Sequence, residues 1–361
     1  YGGYAQRDNA TRNKVILEKD VVVNGANVYG GSSFDNGDAS HNEVTLRGDN
    51  VKAQFLNVYG GLTSGGHADG NKVAFHGGKV RTALVGGEGG SGASSNEVTI
   101  ENGDFSAATD WIIGGKSGRG STDKNTVTIH KVVHDTLAVA VTGGKGGASA
   151  SKNTVTLGKM TTTATATVTG GSAGEAVTGG EANGNTVNLT NVEAGAAVTG
   201  GEAIGGSANE NKVNMTGGTV TAGDLIGGKT TADTAGKAGD ANKNVLTLTK
   251  VRELQEVTGG ESAQGTASEN IVTIDGTDED LVRTEIKGAV FGGYTAGGAA
   301  NHNEVTLKVK SGKNVTGGNA TKGDAEGNKV AIEGGSFTGK DILGGRSDVD
   351  GAANGNEVKL T

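Results

Sequence analysis

Apolar residues recur along the chain in one short pattern. Asn, a β-branched or aliphatic residue and a larger apolar residue occupy i, i+2 and i+4, as in Asn42-Glu43-Val44-Thr45-Leu46 and Asn303-Glu304-Val305-Thr306-Leu307. The positions between are polar or small: Glu43 and Thr45, Lys72 and Ala74, Glu97 and Thr99. Side chains alternate across a strand, so the three recurring residues share one face. The pattern predicts a short strand with Asn, Val and Leu inward and the intervening residues in water. A second landmark follows each strand. It is a hydrophobic pair and Gly-Gly, as in Val58-Tyr59-Gly60-Gly61, Ile112-Ile113-Gly114-Gly115 and Val290-Phe291-Gly292-Gly293. These glycines predict corners where positive φ or close backbone approach excludes a Cβ. A weaker middle strand is expected near Val51, Val80, Val220 and Phe337.

The pattern returns thirteen times, at Asn13, Asn42, Asn71, Asn96, Asn125, Asn153, Asn185, Asn211, Asn244, Asn270, Asn303, Asn328 and Asn356. Spacings run from 25 to 33 residues. Self-similarity at this period is the signature of a solenoid. The expected fold is all-β: a right-handed parallel β-helix of about 12 coils of about 29 residues, with roughly three short strands each. Stacked at about 4.8 Å, the coils would form a rod roughly 60 Å long.

Columns support direct stacking. Lys14, Glu43, Lys72 and Glu97 alternate in sign at one repeat position, as a cross-coil charge ladder would. Ala39, Ala68, Ala93, Ala208, Ala241, Ala300 and Ala353 lie three residues before the Asn, with Thr122 the exception. An inward Asn can bond the amide of the Asn in the next coil and build a ladder. A local turn would accept Asp, Ser or Gly equally, and none stands in this column.

Composition changes the picture in few places. There are 68 Gly, 33% hydrophobic residues and 3% aromatic ones, which without register would indicate disorder. The fixed columns override that. Pro is absent, consistent with a backbone whose N–H groups serve coil-to-coil ladders. Cys is absent, so disulfides and thiolate chemistry are excluded. The net charge of −8 argues against a nucleic-acid partner. No apolar run is long enough to span a bilayer. Residues 1–361 are expected to form one solenoid array. Tyr1-Gly2-Gly3 reads as the end of an earlier landmark and Glu357–Thr361 as a coil just begun, so the array is expected to be cut from a longer chain at both ends.

Few residues suggest chemistry. Gly223-Asp224-Leu225-Ile226-Gly227-Gly228-Lys229-Thr230 matches the phosphate-loop expression, but the apolar face of a following helix is missing. Gly86–Gly90 and Gly143–Gly147 lack the Asp of a calcium nonapeptide. The longest insertion contains Asp275, Asp278, Glu279 and Asp280, which could hold a divalent cation or form a solvated acidic loop. His41 and His302 share a repeat position far apart in sequence. His130 and His134 lack a third ligand for a metal. Trp111 could pack at a corner or stack on a sugar. Thr45, Thr99, Thr128, Thr156, Thr247, Thr273 and Thr306 share a column of the kind ice-binding solenoids use, but Ala74, Asn188, Asn214, Ala331 and Lys359 interrupt it. No catalytic residue and no cofactor is expected.

The Gly-rich repeats with Asn303 to Leu307 and Val315 to Gly318, and their counterparts throughout, resemble the passenger regions of bacterial autotransporter-type surface adhesins. That resemblance implies a β-helix on the outside of a bacterial cell, with an outer-membrane-attached parent. It would present loops to host or neighbouring cells, or to copies of itself. The alternative is a polysaccharide lyase or glycosidase on the same helix. It would require acidic and basic side chains converging across adjacent coils.

Overall fold

The computed structural model describes residues 1–48, 52–175, 179–278, 281–337 and 341–361, with only the backbone of Asp278, Leu281 and Val282. The predicted Val51 therefore lies outside the described residues. The chain divides into two compact units, Tyr1–Val177 and Thr178–Thr361. Each unit is a β-solenoid, and the chain makes about 12 turns, about 28 residues apart.

Each turn contributes one strand to each of two parallel sheets. In the first unit the asparagine sheet includes Glu43–Arg47, Lys72–Gly77, Glu97–Ile100, Thr126–Ile129 and Thr154–Leu157. The glycine sheet includes Ala53–Thr63, Lys79–Gly89, Trp111–Ser117 and Ala140–Gly146. The second unit repeats the scheme, with Lys212–Val220, Val245–Thr249 and Ile271–Asp275 in one sheet and Leu225–Thr231, Val257–Ser262 and Val290–Thr295 in the other.

Like residues sit on like. Val44 pairs with Val73, Val73 with Val98 and Val98 with Val127. In the second unit Val213 pairs with Leu246, Leu246 with Val272 and Val272 with Val305. These side chains and the apolar residues two positions on are fully buried. Parallel pairing over both faces of such thin coils needs no bulky core, because each apolar side chain is covered by its copies above and below. Phe55, Phe75 and Phe105 add an aromatic stack with centroids 6.0 and 5.8 Å apart.

The third strand is less uniform than the sequence predicts. Val80 belongs to the long glycine strand Lys79–Gly89 and Val220 ends Lys212–Val220. Elsewhere it is a two- or three-residue strand such as Thr136–Leu137 or Met160–Thr162. Phe337 is in no strand; its neighbour Ser336 forms an isolated bridge to Ser311. This arc varies in length between landmarks, so its residues lack a common register partner.

One further expectation is corrected, and one pair of alternatives is decided. The Thr column is not in open water: Thr45 is buried, and Thr99, Thr128 and Thr156 are half-buried. Neighbouring turns stand close enough for side chains of one column to shade each other. The landmark glycines do not adopt positive φ either; the left-handed residues lie elsewhere. The residue before each ladder Asn takes that role in every turn: Arg12, His41, Ser95, Lys124, Lys152, Glu210, Lys243, Glu269 and His302, and glycine at 70, 184, 327 and 355, with φ from 55 to 66°. Side chains other than Gly or Asn rarely adopt this region, at a cost of roughly 1–2 kcal/mol. Lys124→Gly is therefore expected to raise stability by up to about 1 kcal/mol, and β-branched Lys124→Val to lower it by about 1 kcal/mol. Urea midpoints of the two variants against the parent chain check this.

Candidate functional site

The two sequence landmarks are halves of one device. From Asn13 to Asn153 and from Asn211 to Asn356, each ladder Asn is held against the Gly-Gly pair that precedes it. A Cβ placed on Gly115 would run into the Ala93 carbonyl oxygen and lie 2.5 Å from Asn125 Nδ2; one on Gly114 would lie 2.8 Å from Asn125 Cβ. The glycines are a slot for an amide side chain, so close approach rather than backbone handedness selects them. The buried Ala column supplies carbonyls to the same slots: Ala39 faces Gly61 and Ala68 faces Gly87.

The slotted amides then join end to end. Asn42 donates from its backbone N and its Nδ2 to Asn71 Oδ1, at 2.9 and 3.0 Å. Asn71 bonds Asn96, and Asn96 bonds Asn125, in the same bidentate way. Asn13 begins this ladder and Asn153 accepts from Asn125. In the second unit the ladder runs from Asn185 through Asn211, Asn244, Asn270, Asn303 and Asn328 to Asn356. A buried amide placed this way leaves few polar groups unpaired, which is the condition for putting Asn in a core.

Sequence reasoning missed a second polar column two residues before the Asn. Asp69 N–H donates to Ser40 Oγ, Ser94 N–H to Asp69 Oδ1 and Asp123 N–H to Ser94 Oγ. In the second unit Asn242 N–H donates to Asn209 Oδ1 and Ser268 N–H to Asn242 Oδ1. Here the later turn donates to the earlier one, the reverse of the Asn ladder. The column mixes Ser, Asp and Asn, which share only an acceptor oxygen, so residue identity alone conceals it.

On the glycine sheet, aromatic and charged side chains meet across turns. The pairing register runs through the second glycine of each pair and skips the first, so each strand bends there. The bend brings side chains before and after the glycines toward each other. Lys116 Nζ lies 4.8 Å and Lys145 Nζ 5.4 Å from the Trp111 ring centre. Trp111 thus stands half-exposed under two cations rather than packed at a corner. The lysines are themselves paired, Lys116 with Glu88 and Lys145 with Glu175, both at 2.9 Å. Nearby, Tyr1, Tyr29 and Tyr59 stack with centroids 4.7 and 5.5 Å apart. Burial, with Glu88 and Tyr29 beside it, pushes the Tyr59 hydroxyl far above the usual tyrosine range.

The second unit places charge at the same bend. Glu256 lies before the Gly259-Gly260 pair, near Asp224, Lys229 and Glu261. Lys229 pairs with Glu261 at 3.4 Å. Burial, then the Asp224 and Glu261 carboxylates, raises the Glu256 carboxyl above its ordinary value, with Lys229 opposing. A carboxyl raised on folding stabilises below its unfolded value and loses that contribution as pH rises through the folded value. Ionised Glu256 is therefore a net cost at neutral pH. Glu256→Gln is expected to stabilise the chain by about 0.5 kcal/mol at pH 7, screened by half exposure. The gain should vanish below about pH 4; melting curves of both chains across that range check it.

The other sequence candidates do not converge. Asp275 ends the strand Ile271–Asp275, and its carboxylate accepts the Thr277 N–H at 3.0 Å. The Thr277 side chain beside it, and then this backbone bond, hold the carboxyl below its ordinary range. The predicted acidic loop is an antiparallel hairpin pairing Thr277 with Val282 and Asp278 with Leu281. Glu279 and Asp280 lie outside the described residues, and the Asp278 side chain is not described. Among the described residues no group of three His, Asp or Glu is placed to hold a metal ion. Residues 225–230 of the phosphate-loop match lie in the strand Leu225–Thr231, with Thr230 buried and bonded to Gly239 O at 2.9 Å and to Ser262 Oγ at 3.0 Å. His41 and His302 are left-handed corner residues, one in each unit. His130 stands 3.9 Å from Glu101, while His134 belongs to the single turn Val133–Asp135. No described helix is long and apolar enough to cross a membrane. Known protein families, curated proteins and solved structures yield no match to the chain.

Proposed function

We propose that the chain is a non-enzymatic adhesive or structural shaft displayed outside a bacterial cell. It would engage a molecule on a host or neighbouring cell, or copies of itself. One observation carries this reading: within a turn the stacking positions repeat and the outward ones do not. Asn, Val and Gly-Gly recur in turn after turn, whereas the half-exposed column just after the glycines reads Leu62, Glu88, Lys116, Lys145. A fold whose constant residues all serve stacking is a scaffold, and its function lies in what varies on the surface. The resemblance of the repeats to autotransporter passengers supports the same placement. The test is binding of the labelled chain to bacterial and epithelial cells, alongside incubation with a polysaccharide panel. Saturable cell binding without release of sugar ends is expected; catalytic release of sugar ends would overturn the reading.

A second reading, a polysaccharide-active enzyme, is favoured by the Glu256 cluster in the second unit. A half-buried carboxyl raised above its ordinary value beside two other carboxylates is the kind of cluster from which an acid–base pair is built. If it acts so, any sugar-cleaving activity should disappear in Glu256→Gln while the fold is kept.

A further inference from the structure

The turns that follow the glycine strands of the first unit enclose a groove of about 970 Å3 that the stacking device does not use. It crosses four turns, from Phe34 to Arg119. Three turn-to-turn steps span about 14 Å, longer than a single small ring and suited to an extended ligand.

The lining contains two ionisable residues, Glu88 and Arg119. Glu88 is neutralised by Lys116 at 2.9 Å. Arg119 is exposed and forms no ion pair among the described residues. The groove thus has one uncompensated charge, and it is a guanidinium, whose planar fork suits a carboxylate. At the other end Phe34 is 70% exposed. An open aromatic face there is a platform for an apolar ring face.

Between these ends the lining is mainly glycine and hydroxyl, with Asn36 and Leu62 among them. The Ser64 hydroxyl donates to Phe34 O and the Ser91 hydroxyl to Gly65 O. Their protons are directed into the stack, leaving oxygen lone pairs to accept from a ligand rich in O–H groups. The backbone is already engaged: Gly65 N–H donates to Asp35 O, Ser91 N–H to Gly66 O and Gly120 N–H to Ser117 Oγ. An extended peptide therefore finds no free strand edge to add to.

We propose that this groove binds a linear acidic saccharide, with a uronate carboxylate on Arg119 and a sugar ring on Phe34. It deepens the adhesive reading and rests on it only in naming binding rather than cleavage. Calorimetric titration of the whole chain with a uronic-acid tetrasaccharide, a neutral β-linked glucose tetrasaccharide and a polyglutamate peptide tests it. The uronate should bind most tightly. Arg119→Gln should weaken it about tenfold or more while leaving the neutral sugar within about twofold, and Phe34→Ala should weaken both sugars. Both residues are exposed, and circular dichroism checks that the variants keep the parent fold. No heat with either sugar at millimolar concentration overturns the proposal. So does unchanged uronate affinity in Arg119→Gln, or polyglutamate binding as tight as the uronate. Mass spectrometry of the recovered sugar separates the two readings: bound but shortened sugar sinks the non-enzymatic function and keeps the groove.

Discussion

Asn125→Asp is expected to lose about 3–5 kcal/mol at neutral pH and to regain most of it in acid. Asn125 Oδ1 accepts two bonds from Asn96, at 2.9 and 3.0 Å. Its Nδ2 donates to Asn153 Oδ1 at 3.0 Å. Aspartate keeps the acceptor and replaces the donor with an oxygen facing an oxygen. The position is fully buried, so the ion has neither water nor a cation. Its folded pKa is raised by burial and repulsion. By linkage, the loss is smallest below the unfolded value of about 3.9 and grows as pH rises through the folded value. A protonated acid can donate where the amide did. The measurement is the stability difference between variant and parent from pH 3.5 to 8 by urea titration. A difference that does not change with pH would mean the ladder bond is not what the side chain supplies. Hydrogen exchange should show the loss spreading to adjoining turns of the same unit, because each turn is held mainly by its neighbours.

Gly115→Ala is expected to cost about 3 kcal/mol or more, at the upper end for overpacking. The new methyl would meet the Ala93 carbonyl oxygen and the Asn125 amide. Neither can retreat: the carbonyl belongs to the wall of the coil, and the amide is bonded above and below. Gly118, three residues on, has nothing within 4 Å of an added Cβ and no positive φ. Gly118→Ala should therefore be neutral or stabilising by about 0.4–1 kcal/mol, through the unfolded chain alone. Thermal unfolding of the pair separates close approach from glycine entropy. Equal effects would refute the slot.

The contrast between these glycines shows where a single sequence runs out. Gly115 and Gly118 look alike in the sequence; only their surroundings distinguish them. The Asn column was legible because a buried amide with two fixed partners tolerates no other residue, so its identity repeats. The left-handed corner before it was not legible. Arg12, Ser95, Lys124 and Glu210 share no property except tolerating strain that the neighbouring strands impose. The column of Ser40, Asp69, Ser94 and Asp123 was hidden for a related reason, since several side chains can offer one acceptor oxygen. The acidic insertion was visible as an interruption, but neither the bond from Thr277 to Asp275 nor the hairpin could be read from its charges.

The sequence by itself determined the period, the two strand types, the inward set from Val44 to Val330 and the Asn that joins the turns of each unit. Those follow from alternation and repetition, which act on neighbours in the chain and on copies one period away. The tertiary structure alone decided what depends on residues brought together across the coil: the Asn seated in its glycine slot, the bend that folds Lys116 over Trp111, the crowding that raises Glu256, and the groove between Phe34 and Arg119. Such contacts depend on the lengths of variable arcs, and no local pattern encodes them.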